Sequence, residues 1–263
     1  MYRGFRLENF SKDFFINTIT KSNELYYSYY YKKGHSLFEK YNKLIKDSIK
    51  KYVDPISGII DGTMLQKDWF PTINDCDIFI SHSHKDEDLA IALAGWLYEE
   101  FELNSFIDSC IWGYANNLLQ KIDNQYCKEN EKYDYNLRNY STSHVHMMLN
   151  MALMQMIDKT ECLFFLNTPH SIRLSDIKTQ TLSPWIYSEI GISQMIEKHE
   201  PERFEIVNES YDKRSSLCIS YDLDLSHLAE ISTNDLSLWS IYGIKKEEAL
   251  DALYEMIPAP EKQ

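Results

Sequence analysis

The chain is poor in the residues that build covalent or metal-linked frameworks. It has five cysteines in 263 residues, and no two of them form a Cys-x-x-Cys pair. An odd count without such a pair predicts neither a disulfide framework nor a thiolate zinc site. No apolar run approaches the roughly 20 residues that span a bilayer, and the first ten residues contain no apolar signal core. We therefore expect a cytoplasmic protein in a reducing environment, with no membrane partner.

Basic residues are also fewer than acidic residues. The sequence has 27 Lys and Arg against 40 Asp and Glu, a formal net charge of −13. Nucleic-acid binding needs a basic field, so nucleic acid is not an expected partner, although a local basic pocket is still allowed. Hydrophobic residues make up 44% and charged residues 25%, which is typical of a globular chain and excludes general disorder.

The segment 1–72 is predicted to be a helical N-terminal extension. Apolar residues recur at steps of three and four before a stop at Asp54-Pro55, as in an amphipathic helix; they are Phe38, Tyr41, Ile45, Ile49 and Tyr52. A tyrosine cluster at 26–31 precedes them. It is expected either to pack against the main domain or to form a partner surface.

From residue 73 to 263 the pattern changes to alternating strands and helices. Short apolar runs predict buried strands at 78–80, 106–107 and 162–166, with another possible at 217–220. Helical periodicity covers 86–100, 144–157, 184–197 and 245–256, and residues 109–143 form an insertion longer than an ordinary loop. This order predicts an α/β domain with a parallel sheet, whose ligand site lies beyond the carboxyl ends of the strands.

The loop after the first of these strands offers two interpretations. His82, His84 and Asp86 form an H-x-H-x-D string that is similar to the start of a metallo-β-lactamase ligand motif, although Glu87 stands where that motif has its last His. Alternatively, the same loop opens a helix, capped by Ser83 and Asp86 at capping-box spacing. Its exposed N–H groups, together with Lys85, would then favour an anion.

The helix at 184–197 carries the most specific candidate pair. Trp185 and Glu189 are four residues apart and share a face. One interpretation is a surface glutamate beside a core tryptophan. The other is a carboxylate at the mouth of a cleft, where it could bind ribose hydroxyls and stabilise an oxocarbenium ion beside a flat indole.

Four motifs in order give a resemblance to a known family. Residues 77–81 (DIFIS), 106–108 (FID), 162–167 (CLFFLN) and 183–190 (SPWIYSEI) together resemble a bacterial TIR (Toll/interleukin receptor) domain. The resemblance covers roughly residues 75–225. It implies a flavodoxin-like parallel sheet and, as in many bacterial members including those of Thoeris anti-phage systems, cleavage of the nicotinamide–ribose bond of NAD⁺.

The resemblance also implies roles for individual residues. Glu189 would be the catalytic glutamate, and the substrate-binding residues would be Ser81, His82, Lys85, Asp108, Trp112 and Trp185. NAD⁺ would be the substrate, and neither a metal nor a cofactor is implied. Self-association through TIR–TIR contacts and a downstream effector that recognises the nucleotide product are the implied partners.

Three functions remain open at this point. The first is a NAD⁺ glycohydrolase or cyclase that yields nicotinamide and ADP-ribose or a cyclic ADP-ribose-type signal in anti-phage defence. The second is a non-catalytic TIR assembly module. The third is a metal-dependent hydrolase that uses His82, His84 and Asp86.

Overall fold

The computed structural model describes residues 1–15, 23–39, 49–113, 115–129, 132–174, 179–181, 183–199, 201, 221–222 and 225–260. The possible strand at 217–220 and the middle of the predicted helix after Phe38 lie outside these ranges. Within them the chain divides into two compact units. The first comprises 1–37, 75–107 and 157–263, and the second comprises 38–74 and 108–156.

The helices and strands alternate along much of the described chain. The α-helices are α1 (Asn23–Phe38), α2 (Gly62–Trp69), α3 (Glu87–Phe101), α4 (Asp108–Ile111), α5 (Ala115–Tyr126), α6 (Tyr135–Lys159), α7 (Pro184–Met195), α8 (Thr233–Ile241) and α9 (Lys246–Met256). The strands are β1 (Arg3–Glu8), β2 (Ile78–Ser81), β3 (Ser105–Phe106), β4 (Lys128–Glu129), β5 (Lys132–Tyr133), β6 (Cys162–Asn167), β7 (Arg173–Leu174), β8 (Thr179–Thr181), β9 (Tyr221–Asp222) and β10 (Ala229–Ile231).

The first unit is built on a five-stranded parallel sheet with the order β10-β1-β6-β2-β3. Its middle strand β6 is buried from Cys162 to Leu166, as expected for a parallel strand that is covered on both faces. The sequence prediction of an α/β fold with a parallel sheet is therefore confirmed. Because all five strands run the same way, their carboxyl ends meet at one edge, where Ser81, Asn167 and Glu8 lie.

Strand β1 departs from the sequence prediction, which made the whole of 1–72 helical. Phe5 and Leu7 are buried, and β1 pairs with β6 from Arg3↔Cys162 to Glu8↔Asn167. The hydrophobic pattern does not reveal this strand, because Arg3, Arg6 and Glu8 interrupt its apolar residues. The Arg3 guanidinium donates to the carbonyls of Tyr254 and Ile257, and Arg6 pairs with Glu8 and Glu230. The N-terminal segment therefore belongs in part to the sheet.

The order of the strands in the sheet can be compared with that of a flavodoxin-like fold. A flavodoxin-like sheet has the order 2-1-3-4-5 along the chain. Here β3, β2 and β6 occupy the places of strands 2, 1 and 3, and β10 occupies the outer place of strand 5. The fourth place is filled by β1 from the start of the sequence. The sheet is thus consistent with a flavodoxin-like fold whose fourth strand comes from the N-terminal segment.

The tyrosine-rich helix α1 packs against α3 within the first unit. The hydroxyls of Tyr29 and Tyr30 donate to the carboxylates of Glu99 and Glu100 at 2.9 Å each. Gly34 of α1 and Gly95 of α3 allow the helices to approach closely. A Cβ on Gly34 would collide with the carbonyl oxygen of Ile91. The described tyrosines at 26–31 are thus at least partly engaged in packing.

Two of the predicted helix starts differ from the structure. Helix α6 begins at Tyr135 rather than near 144, with the Asp134 side chain accepting from the amide of Leu137 at 2.7 Å. The predicted capping box at Ser83 and Asp86 is wrong, because Ser83 makes no side-chain cap bond and α3 begins at Glu87. By contrast α7 begins as predicted, with Ser183 accepting from the Ile186 amide and a proline following.

The second unit is a helical assembly around buried aromatic and polar groups. The indole of Trp112 donates to the carbonyl of Pro71 at 2.9 Å and contacts the ring of Phe70. Asp123 of α5 is buried and accepts from Arg138 and Ser141 of α6, which joins these two helices. The predicted insertion at 109–143 therefore contains α4, α5, the β4–β5 hairpin and the start of α6.

Candidate functional site

A buried serine–glutamate pair lies at the carboxyl edge of the sheet. Ser81 is the last residue of β2, and its hydroxyl donates to Oε2 of Glu189 on α7 at 2.6 Å. Ser81 is 1% exposed and Glu189 is 4% exposed. A distance of 2.6 Å is typical of a hydroxyl that donates to an ionised carboxylate. The two residues, 108 positions apart in the sequence, therefore form one polar site in the core.

Helical geometry explains why this glutamate points inward. Ile186, Ile190 and Ser193 are buried on the inner face of α7, and Glu189 is three residues after Ile186 and one before Ile190. The spacing puts its carboxylate among the residues that contact the core. The surface-glutamate interpretation of the sequence is thus wrong. A carboxylate on a buried face is costly to desolvate unless it is hydrogen-bonded, and Ser81 supplies one such bond.

The other predicted residues of the first strand's loop have varied environments. His82 is buried, and its Nδ1 lies 3.4 Å from the carbonyl oxygen of Ile80. Lys85 and His84 are exposed. Helix α3, which follows this loop, has Glu87 and Asp88 in its first turn. Acidic side chains there compete with any external anion for the helix N-terminus, so the loop alone does not make an anion site.

Asp86 belongs to a polar cluster that sequence reasoning missed. Its Oδ2 accepts from the hydroxyl of Thr168 at 2.6 Å, and its Oδ1 lies 2.8 Å from Nδ1 of His170. Asp86 and Thr168 are each 7% exposed. The run T-P-H-S directly after the apolar β6 was the available signal. Its partner is 82 residues away, so spacing could not reveal it.

The cluster is connected to the start of α7. Thr181 is buried, and its hydroxyl donates to the carbonyl of Ser171 at 2.8 Å. The amide of Ser183, the cap residue of α7, donates to the Thr181 hydroxyl oxygen at 3.1 Å. The turn after β6 and the helix that carries Glu189 are therefore held by the same short strand, β8.

Three further predicted residues were expected to contact the substrate. Trp185 is half-buried on α7, in the turn before Glu189. Asp108 begins α4 and Trp112 follows it, and both belong to the second unit. Trp112 is 2% exposed with its indole nitrogen bonded to Pro71. The indole is thus an internal part of its own unit, and the substrate-binding roles of Asp108 and Trp112 stay predictions.

Neither a metal cluster nor a transmembrane helix is found in the described ranges. Among those residues no group of three or more His, Cys, Asp or Glu side chains could hold a metal ion. The H-x-H-x-D string does not converge, because Asp86 is bonded to Thr168 and His170 while His84 is exposed. None of the helices in the described ranges combines the length and apolar character that a bilayer crossing needs.

One cavity of about 440 Å³ lies away from this pair, near the outer strand of the sheet. It is lined by Arg6, Leu225, Leu228, Glu230, Ile257 and Pro260, among others. The Ser81–Glu189 pair is therefore not part of its lining. With Glu189 buried as described, a substrate would have to displace side chains that cover the carboxylate.

Comparison with known proteins adds little to the site. No protein-family model matches the chain, and no solved structure matches it. Among curated proteins, a stretch covering 58% of the chain is 25% identical over 153 residues to the myosin-J heavy chain of Dictyostelium discoideum. The chain spans about 7% of that protein's length. A likeness of this extent shows neither a family nor an activity for this chain.

Proposed function

We propose that the chain is a TIR-type NAD⁺ glycohydrolase or cyclase in which Glu189 assists cleavage of the nicotinamide–ribose bond. The observation that carries the proposal is the inward-facing carboxylate of Glu189, bonded to Ser81 at the carboxyl end of a parallel strand. Ligand sites of open α/β sheets lie at this edge. The order of the four TIR-like sequence motifs supports the same assignment.

The chemistry needs little beyond a well-placed carboxylate. Nicotinamide is cationic in NAD⁺, so it departs as a neutral molecule with the electron pair of the bond to ribose. Positive charge then develops on the ribose, and a carboxylate in a site of low dielectric stabilises it strongly. Glu189 supplies that charge, and its oxygens can also accept from ribose hydroxyls. No metal or general acid is required for the departure.

Ser81 holds the carboxylate in one orientation before the substrate arrives. Its hydroxyl engages Oε2, and a ribose hydroxyl can share or replace that bond. Water that enters the site gives ADP-ribose, whereas an internal nucleophile of the same nucleotide gives a cyclic product. Exclusion of water by the closed site favours the cyclic product. Such a product would serve as a signal for a downstream effector.

Self-association is the second candidate function, and exposed apolar residues of α6 favour it. The side chains of Leu137, Tyr140, Met147 and Met151 are 49%, 67%, 59% and 42% exposed. Their spacing is that of a single heptad seam. Sedimentation of the native protein against the Tyr140→Ser, Met147→Ser double variant tests it. A larger native species that the double variant loses supports assembly, and a native monomer at high concentration rejects it.

The catalytic proposal is tested by incubating concentrated protein with NAD⁺ and resolving the products by chromatography. Glu189→Gln keeps the shape and the acceptor for Ser81 but removes the charge. We expect nicotinamide release to fall about 100-fold or more, the usual effect of losing one electrostatic contact to the transition state. The matched control is Glu197→Gln, since Glu197 is an exposed glutamate just beyond the same helix, and it should retain full activity. Equal release by Glu189→Gln and the native protein would reject the role of Glu189.

A further inference from the structure

Asp86 and His170 form an oriented acid–imidazole pair that the proposed cleavage of the ribose bond does not use. Both oxygens of Asp86 are engaged, one by Thr168 at 2.6 Å and one by His170 at 2.8 Å. The aspartate side chain is 8% exposed, whereas that of His170 is 49% exposed. The carboxylate is thus fixed within the protein, while the imidazole reaches the solvent.

The hydrogen bond determines which ring nitrogen is available. An ionised carboxylate only accepts hydrogen bonds, so Nδ1 of His170 carries the hydrogen that bonds to Asp86. In the neutral ring the lone pair is then on Nε2. Nδ1 is held at Asp86 on the buried side of the ring, and the ring is half-exposed. An oriented histidine of this kind is suited to accept a proton from water.

The pair lies at the same edge of the sheet as Glu189. Ser81 ends β2 and Asp86 lies in the segment that follows it, while Thr168 and His170 follow the adjacent strand β6. The bonds of Thr181 tie the turn that carries His170 to Ser183, the cap residue of α7. The same edge of the sheet therefore has a carboxylate for the ribose, carried by α7, and a histidine for a proton, carried by the turn after β6.

We propose that His170 accepts the proton of the water that attacks the ribose carbon, and that Asp86 is its positioning residue. This inference rests on the proposed function. In the step, an oxygen–carbon bond forms between water and the anomeric carbon from which nicotinamide has left with its electron pair. The O–H bond of that water breaks, its electrons stay on oxygen, and the proton passes to Nε2. The products are nicotinamide, ADP-ribose and one proton released later to solvent.

Proton transfer to His170 is needed for hydrolysis but not for a second reaction of the same intermediate, exchange with a pyridine base. A pyridine base such as 3-acetylpyridine attacks through a ring nitrogen that carries no hydrogen, so this exchange needs no proton acceptor. His170→Gln should therefore lower ADP-ribose formation about 100-fold, the lower end of what general-base catalysis contributes, while it leaves exchange with 3-acetylpyridine unchanged. Asp86→Asn should shift the same ratio in the same direction, since an amide can donate to Nδ1 and move the hydrogen to Nε2.

The chain offers a matched control for the histidine. His199 lies 3.5 Å from Asp158, but both side chains are exposed, at 60% and 50%. Asp158 precedes β6, at the amino ends of the strands. His199→Gln should leave the ratio of hydrolysis to exchange unchanged. Should His170→Gln unfold, His170→Ala assayed with added imidazole replaces it, and restored hydrolysis supports the proposal because imidazole cannot repair a purely structural loss.

The outcomes distinguish this inference from the function on which it rests. If the native protein performs neither hydrolysis nor exchange, the proposed function fails and this inference fails with it. If the native protein performs both and His170→Gln keeps the native ratio, only the role of His170 is rejected. Loss of both reactions in Glu189→Gln with selective loss of hydrolysis in His170→Gln supports the two assignments together.

Discussion

Gly34 of α1 and Gly95 of α3 meet backbone to backbone where the two helices cross. A Cβ on Gly95 would lie 2.7 Å from the amide nitrogen of Gly34 and would also collide with the carbonyl oxygen of Tyr30. Backbone atoms cannot move aside as a flexible side chain can. We expect Gly95→Ala to lower the free energy of unfolding by about 1–3 kcal/mol, the usual cost of overpacking. Denaturant unfolding followed by circular dichroism measures this change.

Gly191 of α7 is the control for that substitution. A Cβ there would have open space around it, and alanine is a better helix former than glycine by up to about 1 kcal/mol. Gly191→Ala should therefore leave the free energy of unfolding unchanged or raise it. Equal stability of Gly95→Ala and the native protein would show that α1 does not approach α3 as closely as described.

The bond between Ser81 and Glu189 predicts a specific cost for losing the hydroxyl. Ser81→Ala leaves the buried carboxylate without this donor, and hydrogen bonds to charged groups are worth about 1.5–3 kcal/mol. We expect the free energy of unfolding to fall by about that amount. Ser237 is exposed and bonds only within its helix, so Ser237→Ala should change stability by less than about 0.5 kcal/mol. Equal changes in the free energy of unfolding for Ser81→Ala and Ser237→Ala would contradict the buried hydrogen bond between Ser81 and Glu189.

Asp77 predicts a pH dependence of stability. Burial raises the pKa of its carboxyl above the ordinary value of 3.8; the amide of Asn104 opposes the rise, and the charges of Glu161, Glu247 and Asp75 add to it. The folded protein therefore binds this proton more tightly than the unfolded chain. Its contribution to the free energy of unfolding falls as the pH rises from about 3.8 through the raised pKa.

Asp77→Asn removes that dependence and keeps an oxygen for the Asn104 amide. The variant should gain stability relative to the native protein as the pH rises above about 3.8, measured by denaturant unfolding at each pH. Asp13 is exposed, and Asp13→Asn should show no such gain. A difference between Asp77→Asn and the native protein that does not change with pH would mean that the folded and unfolded chains bind this proton equally.

The cysteines should differ sharply in their reactivity. Burial raises the pKa of the Cys162 thiol well above its ordinary value and also raises the pKa of Cys127. Only the thiolate reacts, so both thiols should resist iodoacetamide in the native protein and react after denaturation. Cys110 is half-exposed and should be alkylated before Cys127 and Cys162. Mass spectrometry of timed samples measures the order, and early modification of Cys162 would contradict its burial.

Hydrophobic patterning predicted the elements that can be recognised from their own residues, without knowledge of a distant partner. Strands β2 and β6 are apolar up to their last residues, Ser81 and Asn167, and α7 has a serine cap followed by proline. All three lie within a few residues of their predicted bounds. Strand β1 could not be found this way because Arg3, Arg6 and Glu8 interrupt its apolar residues. The guanidinium groups of Arg3 and Arg6 donate to groups more than 220 residues away, which no local pattern contains.

Two serine–aspartate pairs with the same spacing show that a local pattern cannot predict which partner a side chain bonds. Ser232 and Asp235 form a capping box, with each side chain bonded to the other's backbone. Ser83 and Asp86 have the same spacing but form none, because Thr168 and His170 take the carboxylate of Asp86. The sequence located Glu189 through its helix and its tryptophan neighbour. It could not locate a pair whose second member lies in another loop.

The position of β1 has a consequence for how the protein is made. Residues 3–8 leave the ribosome well before their two neighbours in the sheet, β6 and β10, which begin at residues 162 and 229. This segment has no neighbouring strand to pair with until residues 162–167 have also emerged. Its late insertion joins β10 to the rest of the layer, so a ribosome-stalled nascent chain lacking β10 would be left with one open side along that segment.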